Sequence, residues 1–558
     1  MTYVDAVLNK DKNTIDVVER VNGKRVYTSW PSRYVVYFPS DRGKYTSIFG
    51  TRLDKFETTR VEEFQRELRM IPREKQFESD LNPIFRCFYD HYRNTPSPEL
   101  HVAFFDIETD FDPLKGFSSA EEAFNPLTAV SVWLSWLQRN FTLVLKPRRM
   151  SVDQAQAIVD KFEDTVLCES EAELLDVFLN LIEDADVLSG WNSDGYDIPY
   201  IYNRIVQVLG KEHTRRLCLW NKFPRRKEYQ SFGKDAVTYE LSGRVHLDYL
   251  QLYRKHTYHE MHSYRLDFVG EYEVGEKKVE YEGTLDALYN NDFEKFIAYN
   301  RQDVALLAKI DAKLKFIDLS NDLAHTNGVL LPTTMGSVQL IDNAITNEAH
   351  DLGLMVPTKI RDRVEENSAG EDDGEGHGIV GAYVADPVQG IHQWIGGVDI
   401  NSLYPSTIRA LNMSRETVVG QIRPTHTDKL IEKRMREEKK TFADSWNDTF
   451  HILEYGMVIN QDLTMVTVDF EDGNTVELTA AELHEWIFHN PKPMTLSANG
   501  TIFDLSREGV IPGLLSRWYA QRKDMQGKAK NMGKLNEGFE LSEDLAQRVA
   551  EILKARTA

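Results

Sequence analysis

The sequence predicts a multidomain protein of mixed α/β and α+β class, and three observations predict it. Its 558 residues suit about three or four domains of ordinary size. From residue 98 onward, strand-like runs alternate with stretches of helical period, the pattern of a sheet flanked by helices. At residues 361–378, "RDRVEENSAGEDDGEGHG" is acidic, glycine-containing and aperiodic, as expected of a linker or exposed insertion between structured parts.

Taken in order, residues 1–95 mix short alternating strands, "TIDVVERVNGKRVYTSW" and "SRYVVYFP", with a charged helix at 60–76. The "VNGK" string is a hairpin turn signal. "ELHVAFFDIETD" predicts a strand, and "LTAVSVWLSW" and "NFTLVL" predict two more. "EAELLDVFLNLIEDA" has helical period, "DVLSGWN" is a strand running into a loop, and "IPYIYNRIVQVLG" is a helix ended by Gly210. "NDFEKFIAYNRQDVALLAKIDAKLKFIDL" predicts one long amphipathic helix. After the acidic stretch, "GIVGAYVADP" predicts a strand, and "GGVDI" another that ends at Asp399. Pro405 in "NSLYPS" breaks its ladder, and a helix starts at "STIRALN". "SREGVIPGLLSRWYAQRKDMQGKAK" predicts a helix opened near Pro512, followed by a charged helix to the last residue.

Composition bounds the function. Hydrophobic residues at 41% and charged residues at 28% suit a soluble globular chain. Cys87, Cys168 and Cys218 are far apart and odd in number, so they form neither a disulfide framework nor a zinc spacing, and a reducing compartment follows. The N-terminus lacks an apolar signal core, and the longest apolar run, "LTAVSVWLSWL", is too short to span a bilayer. A cytoplasmic protein with no membrane partner is expected. The net charge of −22 argues against a uniformly basic nucleic-acid face. Local basic clusters nevertheless occur at "KPRRM", "KFPRRKEY" and "RWYAQRKDMQGKAK", where an acidic overall balance leaves room for a basic groove.

Chemistry concentrates first in "FFDIETDF". Strand side chains alternate faces, so Asp106 and Glu108 point the same way. Like charges on one face repel unless a cation sits between them. Asp197, where a loop enters a helix, and Asp303, on a helix, are the candidate partners. Tyr299 lies one turn before Asp303 on the same helix face. Taken singly, a strand acid pair is ordinarily exposed, an Asp at a helix start is an N-cap, and a Tyr is core. Taken together, Asp106, Glu108, Asp197 and Asp303 offer the carboxylate oxygens that two hard divalent cations need, with Tyr299 placed to orient a water. Two such ions about 4 Å apart activate water and steady the leaving oxygen of a phosphodiester. The strings "FDIET", "GWN…YDIPYIYNR" and "YNRQDV" resemble the three exonuclease motifs of the proofreading domain of family B DNA polymerases. That resemblance implies a ribonuclease-H-like 3′-5′ exonuclease domain in which the four acids are metal ligands and Tyr299 orients the attacking water.

The second constellation is "GGVDINSLYPSTIRALNMS". An acid at a strand end beside exposed backbone and a fixed aromatic could hold a metal–triphosphate complex, since phosphoryl transfer needs mainly positioning and charge neutralisation. The segment resembles the first palm motif of family B polymerases. By that resemblance Asp399 binds both polymerase metals with help from the Ile400 carbonyl, Ser402 and Leu403 contact the incoming triphosphate, and Tyr404 lies under the sugar and rejects a 2′-hydroxyl. "EGVIPGLLSRWYAQRKDM" resembles the start of the fingers, where Arg522 would grip the triphosphate. A second basic residue is expected one turn on, and Gln526 stands there, with Lys523 and Lys528 as nearby substitutes. "GIVGAYVADP" and "SYRLDFVGEYEVGEKKVEYEG" resemble the T-even-type bacteriophage branch, which implies an infected bacterial cytoplasm.

Two family patterns do not occur in the 558 residues: the fingers Lys-x-x-x-Asn-Ser-x-Tyr-Gly and the second palm motif Asp-Thr-Asp-Ser. Two-metal nucleotidyl transfer needs a second carboxylate opposite Asp399. The expectation is therefore the N-terminal portion of a split polymerase, completed by a C-terminal polypeptide that brings the second palm carboxylate, the rest of the fingers, the thumb and any clamp-binding tail. A chain cut short of its natural end would read the same way. Expected domains are an N-terminal domain at 1–97, joined by part of 326–370, and a 3′-5′ exonuclease domain at 98–325. A return to the N-terminal domain with the acidic linker follows at 326–378, then a partial palm at 379–507 and partial fingers at 508–558. Expected ligands are Mg2+, two ions per site with Mn2+ as substitute, a DNA primer-template, single-stranded 3′ ends and dNTPs, with other phage replisome proteins as partners. Phe111, Phe117 and Tyr258 are candidates for base stacking. A stand-alone exonuclease and a non-enzymatic replication scaffold are the alternatives; the intact acids speak against the second.

Overall fold

The computed structural model describes residues 2–231, 234–359, 387–422, 435–437, 439, 465–471, 473–497 and 500–538. The chain divides into two compact units, Met1–Ile360 and Arg361–Ala558. The acidic stretch at 361–378, the strand expected in "GIVGAYVADP" up to residue 386 and the last charged helix lie outside the described residues. Among the described residues no helix is long and apolar enough to cross a membrane.

The first unit opens with an antiparallel meander of β1 (Tyr3–Asn9), β2 (Thr14–Val21) and β3 (Lys24–Pro31). Asn22 and Gly23 link β2 to β3 with φ of 50° and 73°, the paired positive values of a type I′ hairpin turn. A second sheet joins β4 (Tyr34–Pro39), β5 (Tyr45–Ser47) and β6 (Arg52–Thr58). The helix expected over 60–76 is shorter, α1 (Val61–Leu68), and a 3-10 turn at Arg73–Lys75 follows it. Pro72 explains the break, because the residue before a proline is pushed out of helical geometry. α2 (Pro83–Tyr92) is capped by the Asn82 side chain, which accepts the Ile84 N–H at 2.9 Å.

The site is carried by a six-stranded mixed sheet. Its strands are β7 (Val102–Thr109), β8 (Leu127–Leu134), β9 (Arg139–Leu145), β10 (Thr165–Cys168), β11 (Val187–Ser189) and, after a hairpin of β12 (Arg225–Ser231) and β13 (Lys234–Glu240), β14 (Val245–His246). Their order is β10-β9-β8-β7-β11-β14, with β7, β8 and β9 antiparallel and β11 parallel to both β7 and β14. Helices α3 (Val152–Val159), α4 (Glu171–Leu181) and α5 (Asp197–Val208) fall within the same stretch of chain. Then come α6 (Tyr249–His256), α7 (Leu266–Val274), α8 (Leu285–Asn291) and α9 (Phe293–Leu314). Ala103, Phe105 and Ile107 of β7 share a core with Leu174 and Phe178 of α4 and Ile201 of α5. The alternate residue Phe104 shares a different core with Val304 and Leu307 of α9. Apolar burial on both faces thus fixes the register of β7 and turns Asp106 and Glu108 toward α9.

The long helix expected over residues 291–319 is broken. Lys315 adopts φ 54° and ψ 40°, ending α9 and starting α10 (Phe316–Asn327). The Asp311 side chain accepts the Tyr249 hydroxyl at 2.9 Å and the Ile317 N–H at 3.4 Å, which anchors the bend while the apolar period runs through it. After α11 (Ser337–Asp351), β15 (Leu354–Met355) pairs in parallel with β5 and completes the second sheet in the order β15-β5-β6-β4.

The second unit contains α12 (Leu403–Leu411) and an antiparallel sheet of β16 (Val418–Ile422), β17 (Met465–Phe470), β18 (Thr475–Thr479), β19 (Met494–Leu496) and β20 (Thr501–Asp504). The strand order is β18-β17-β16-β20-β19, and Leu483 and Ile487 of α13 (Ala480–Phe488) join its core. α14 (Val510–Gly538) matches the helix expected near Pro512. Two expectations fail here. "GGVDI" is extended but forms no strand among the described residues, and Trp394 and Val398 are 99% and 97% exposed. An apolar segment becomes a strand only where a neighbour completes its ladder, and none is described beside it. The following helix begins at Leu403, so Pro405 lies in its first turn, where a missing N–H costs no helix bond.

The β1–β3 meander is locked to the main sheet by a buried ion pair. Arg20 Nε and Nη2 reach the two Asp186 carboxylate oxygens at 2.8 and 2.6 Å, and both residues are buried. Replacing Arg20 by Leu leaves the buried Asp186 charge with Arg25 at 3.6 Å in place of its two-pronged partner, with an expected loss of about 3 kcal/mol in thermal or denaturant unfolding. An Arg20→Met, Asp186→Leu double variant recovers most of that loss. Equal stability of the single and double variants contradicts this account.

Candidate metal centre

Asp106 and Glu108 project from β7, opposite Ser131 and Ala129 of β8, whose small side chains leave space beside them. Asp303 comes from α9 and is buried. One carboxylate oxygen from each of the three acids lies within 4.8 Å of the others. Asp197, the first residue of α5, stands outside that set of three. It is still part of the same field: its charge helps raise Asp106, and the Ile107 backbone, between the two strand acids, hydrogen-bonds to it. The two strand acids lie where β7 runs on past the carboxyl end of its parallel neighbour β11, the side on which open α/β sheets place their ligands.

Crowding shifts every acid the same way. Burial, then the charges of Asp303 and Asp197, push Asp106 well above the carboxylate range. Burial, then Asp106 and Asp303, do the same to Glu108. Burial pushes Asp197 up to about 7 and raises Asp303, against the pull of Lys278. Such a group ionises fully only if cations neutralise it.

Two residues missed in the sequence hold the centre. Lys278 Nζ lies 2.5 Å from Asp303 Oδ2 and 3.2 Å from the Tyr299 hydroxyl, and its ammonium is raised because these charges outweigh its burial. Asn300, fully buried, donates from Nδ2 to Asp106 Oδ2 at 2.9 Å. Lys278 sits in "GEKKVEYEG", a coil between α7 and α8 with no period to flag it. Asn300 did carry a signal, since a buried Asn inside a helix needs a partner. The Tyr299 hydroxyl hydrogen-bonds Asp303, and Tyr281 packs edge-on against its ring at 5.2 Å.

Divalent cations fit this donor set. Three carboxylates converge, and the buried Asp303 Oδ1 has no hydrogen-bond partner, leaving an acceptor for a cation. Around the centre, Phe111 and Phe117 pack edge to face at 4.9 Å in the loop after β7, and Tyr258 is fully exposed after α6. "KFPRRKEY" falls in the exposed hairpin strand β12, and Arg148 of "KPRRM" pairs with Asp110 at 3.0 Å.

In the second unit, Asp399 and Ile400 lie in the exposed extended segment, and Asp399 belongs to no acid cluster among the described residues. Leu403 and Tyr404 are also exposed, on the first turn of α12. The structure does bring Ser402 and Arg522 together: Arg522 Nη1 of α14 lies 3.4 Å from Ser402 Oγ. Ser402 holds φ 52°, a strained value for a non-glycine residue of the kind concentrated at binding sites. Gln526 is exposed one turn beyond Arg522, Lys523 lies over the Tyr519 ring, and Lys528 pairs with Asp524.

Residues 51–269 match the family model of the DNA polymerase family B exonuclease domain, and residues 333–541 match that of DNA polymerase family B. The DNA-directed DNA polymerase of Escherichia phage RB69 is 27% identical over 429 residues, covering 72% of this chain and 45% of the relative. That of Enterobacteria phage T4 is 25% identical over 366 residues, covering 64% of this chain and 33% of the relative. DNA polymerase 1 of Saccharolobus solfataricus is 26% identical over 357 residues, covering 62% and 37%. The chain thus spans less than half the length of these relatives.

The raised acids give a stability signature. Asp197 has its folded pKa, about 7, above its unfolded value, so its contribution is full below the unfolded pKa and is lost as pH rises through 7. In metal-free protein, Asp197→Asn should therefore gain thermal stability relative to the parent between pH 5 and pH 8, with a slope of at most about 1.4 kcal/mol per pH unit. Added Mn2+ should shrink the difference. A pH-independent difference contradicts the assignment.

Proposed function

The chain belongs to DNA polymerase family B, with exonuclease and polymerase domains, and from that premise we propose that its self-contained catalytic site is a 3′-5′ exonuclease acting on single-stranded 3′ ends of DNA. The observation that carries this reading is the convergence of Asp106, Glu108 and Asp303 with an unpartnered Asp303 oxygen among them. Residues 98–325 are read as a ribonuclease-H-like domain around this site, with 1–97 and part of 326–370 as the N-terminal domain. Mg2+, or Mn2+ in its place, would be held by Asp106, Glu108 and Asp303 with Asp197, and would supply charge neutralisation and water activation when bound.

The remaining work falls to side chains. Tyr299, held between Lys278 and Asp303, orients the attacking water. Lys278 pulls Asp303 toward its ionised form against burial and places a positive charge next to the scissile phosphate. Asn300 fixes which Asp106 oxygen faces the cluster. The water oxygen joins the phosphorus of the 3′-terminal nucleotide, the P–O3′ bond to the penultimate nucleotide breaks, that 3′-oxygen stays on the strand and takes a proton, and a deoxynucleoside 5′-monophosphate leaves.

For nucleotide addition, the reading is that Asp399, with the Ile400 carbonyl, holds the polymerase metals. Ser402, Leu403 and Arg522 contact the dNTP triphosphate, and Tyr404 excludes a 2′-hydroxyl. A C-terminal polymerase polypeptide supplies the second carboxylate. Support for the triphosphate grip comes from the Ser402–Arg522 contact. Residues 379–507 and 508–558 are read as palm and fingers portions. The match over 333–541 disfavours a stand-alone exonuclease. A primer-template is the wider substrate, with phage replisome proteins as partners in an infected bacterial cytoplasm.

The test is a primer-length assay with 5′-labelled primer-template, Mg2+ and all four dNTPs. The chain alone should shorten the primer, and Asp106→Ala, Glu108→Ala should abolish shortening. Lys278→Ala and Tyr299→Phe should each slow it on the order of 100-fold. Primer extension by the chain alone overturns the need for a second carboxylate from elsewhere. Shortening by the double variant overturns the exonuclease assignment.

A further inference from the structure

Asp197 opens α5 directly after the loop at 190–196, which follows β11. This loop is held from below by β14 and the start of α6. The Asp248 carboxylate accepts the Asn192 N–H at 3.0 Å, the Asp194 N–H at 3.2 Å and the Leu250 N–H at 2.9 Å. The His246 ring bridges two loop side chains. Its Nε2 lies 2.9 Å from Ser193 Oγ and its Nδ1 lies 3.2 Å from Asp194 Oδ1. Asp194 also accepts the Thr238 hydroxyl at 3.0 Å, which ties the β12–β13 hairpin to the same point. Gly190 permits the packing: a Cβ there would fall 2.8 Å from Ser193 Cβ and 3.0 Å from the Phe105 carbonyl.

A hydroxyl, an imidazole and a carboxylate in this order form the nucleophile-activating chain of serine hydrolases. That function is ruled out here. Ser193 has no exposed surface for a substrate to reach. Burial opposes a charged His246, but the Asp194 carboxylate outweighs it and raises the ring above its ordinary range. What remains is a rigid, charge-assisted clasp around the loop, between two polar groups that both belong to it. Ile198 N–H, one residue past Asp197, bonds the Ser193 carbonyl at 3.0 Å, so the clasped residue and the helix start are directly joined.

We propose that His246 is a positioning residue of the exonuclease centre, which clasps Ser193 and Asp194 so that Asp197 is presented to the divalent cations. The role rests on the exonuclease reading given above and extends it to a residue that touches neither cation nor DNA. Outer residues that orient metal ligands are worth about 10–100-fold in metal affinity or activity.

The experiment measures Mn2+ binding to the full chain by electron paramagnetic resonance, alongside primer shortening at varied Mn2+. The zero reference is Asp106→Ala, Glu108→Ala. His246→Phe should weaken Mn2+ binding on the order of tenfold and raise the half-saturating Mn2+ for shortening by the same factor, with the rate at saturating Mn2+ nearly kept. His246→Gln, which keeps one hydrogen bond, should recover part of the loss. Leu175→Ala, a core substitution on α4, controls for lost stability. Parental Mn2+ affinity in folded His246→Phe overturns the proposal, and so does a loss no greater than that of Leu175→Ala at equal melting temperature. If His246→Phe does not fold, Asp194→Asn is read on the same scale, and parental affinity there overturns it equally. A parent protein whose Mn2+ binding is unaffected by the double substitution overturns the exonuclease reading itself, a result distinct from the other two.

Discussion

Like charges confined where water is scarce are the constraint on which the first unit depends. Burial raises Asp106, Glu108, Asp197 and Asp303 alike, and the charges of the other site acids add to it at Asp106 and Glu108. The fold tolerates this because the acids are fixed from separate directions. Core packing on both faces of β7 sets two of them, α9 sets the third, and the clasped loop sets the fourth. Lys278 and Asn300 supply the only neutralising contacts described for Asp303 and Asp106 beyond the Tyr299 hydroxyl. A structure that spends stability on such crowding holds a site poised for cations.

Much of this was legible in the residues, and the reasons differ from case to case. Asp106 and Glu108 were readable because strand period is two and the flanking residues are apolar. Tyr299 and Asp303 were readable because i and i+4 share a helix face. "VNGK" specified its turn because Asn and Gly accept positive φ at low cost. Lys278 was not readable, because a coil has no period and its approach to Asp303 spans elements distant in sequence. His246 was hidden inside a two-residue strand, where it looks like any core-edge residue. The Lys315 bend was masked because the apolar pattern continues through it, while the anchoring bond runs from Asp311.

The two units differ in how much of their chemistry is assembled. In the first, the four acids and Tyr299 are anchored to elements with packed cores, and Lys278 joins them from the coil between α7 and α8. In the second, Asp399 and Ile400 lie on an exposed extended segment, while the next helix of the same motif is tied to α14 by Ser402–Arg522, by Arg409 to Ser516 at 3.1 Å and by Arg409 over the Tyr519 ring. An exposed apolar strand sequence is ordinarily covered by neighbours in the working state. The contrast mirrors the distinction between a complete carboxylate set and a single carboxylate.

The β15–β5 pairing bears on how the protein is made. Thr46 finds its ladder partner Leu354 about 300 residues later, after the whole metal-bearing sheet has been synthesised. At cellular elongation rates that interval is roughly 15–60 s, during which the β5 edge of a nascent chain is open on the ribosome. The intervening region therefore has to collapse first and bring its ends together, making the N-terminal sheet the last part of the unit to close, although it is the first to emerge.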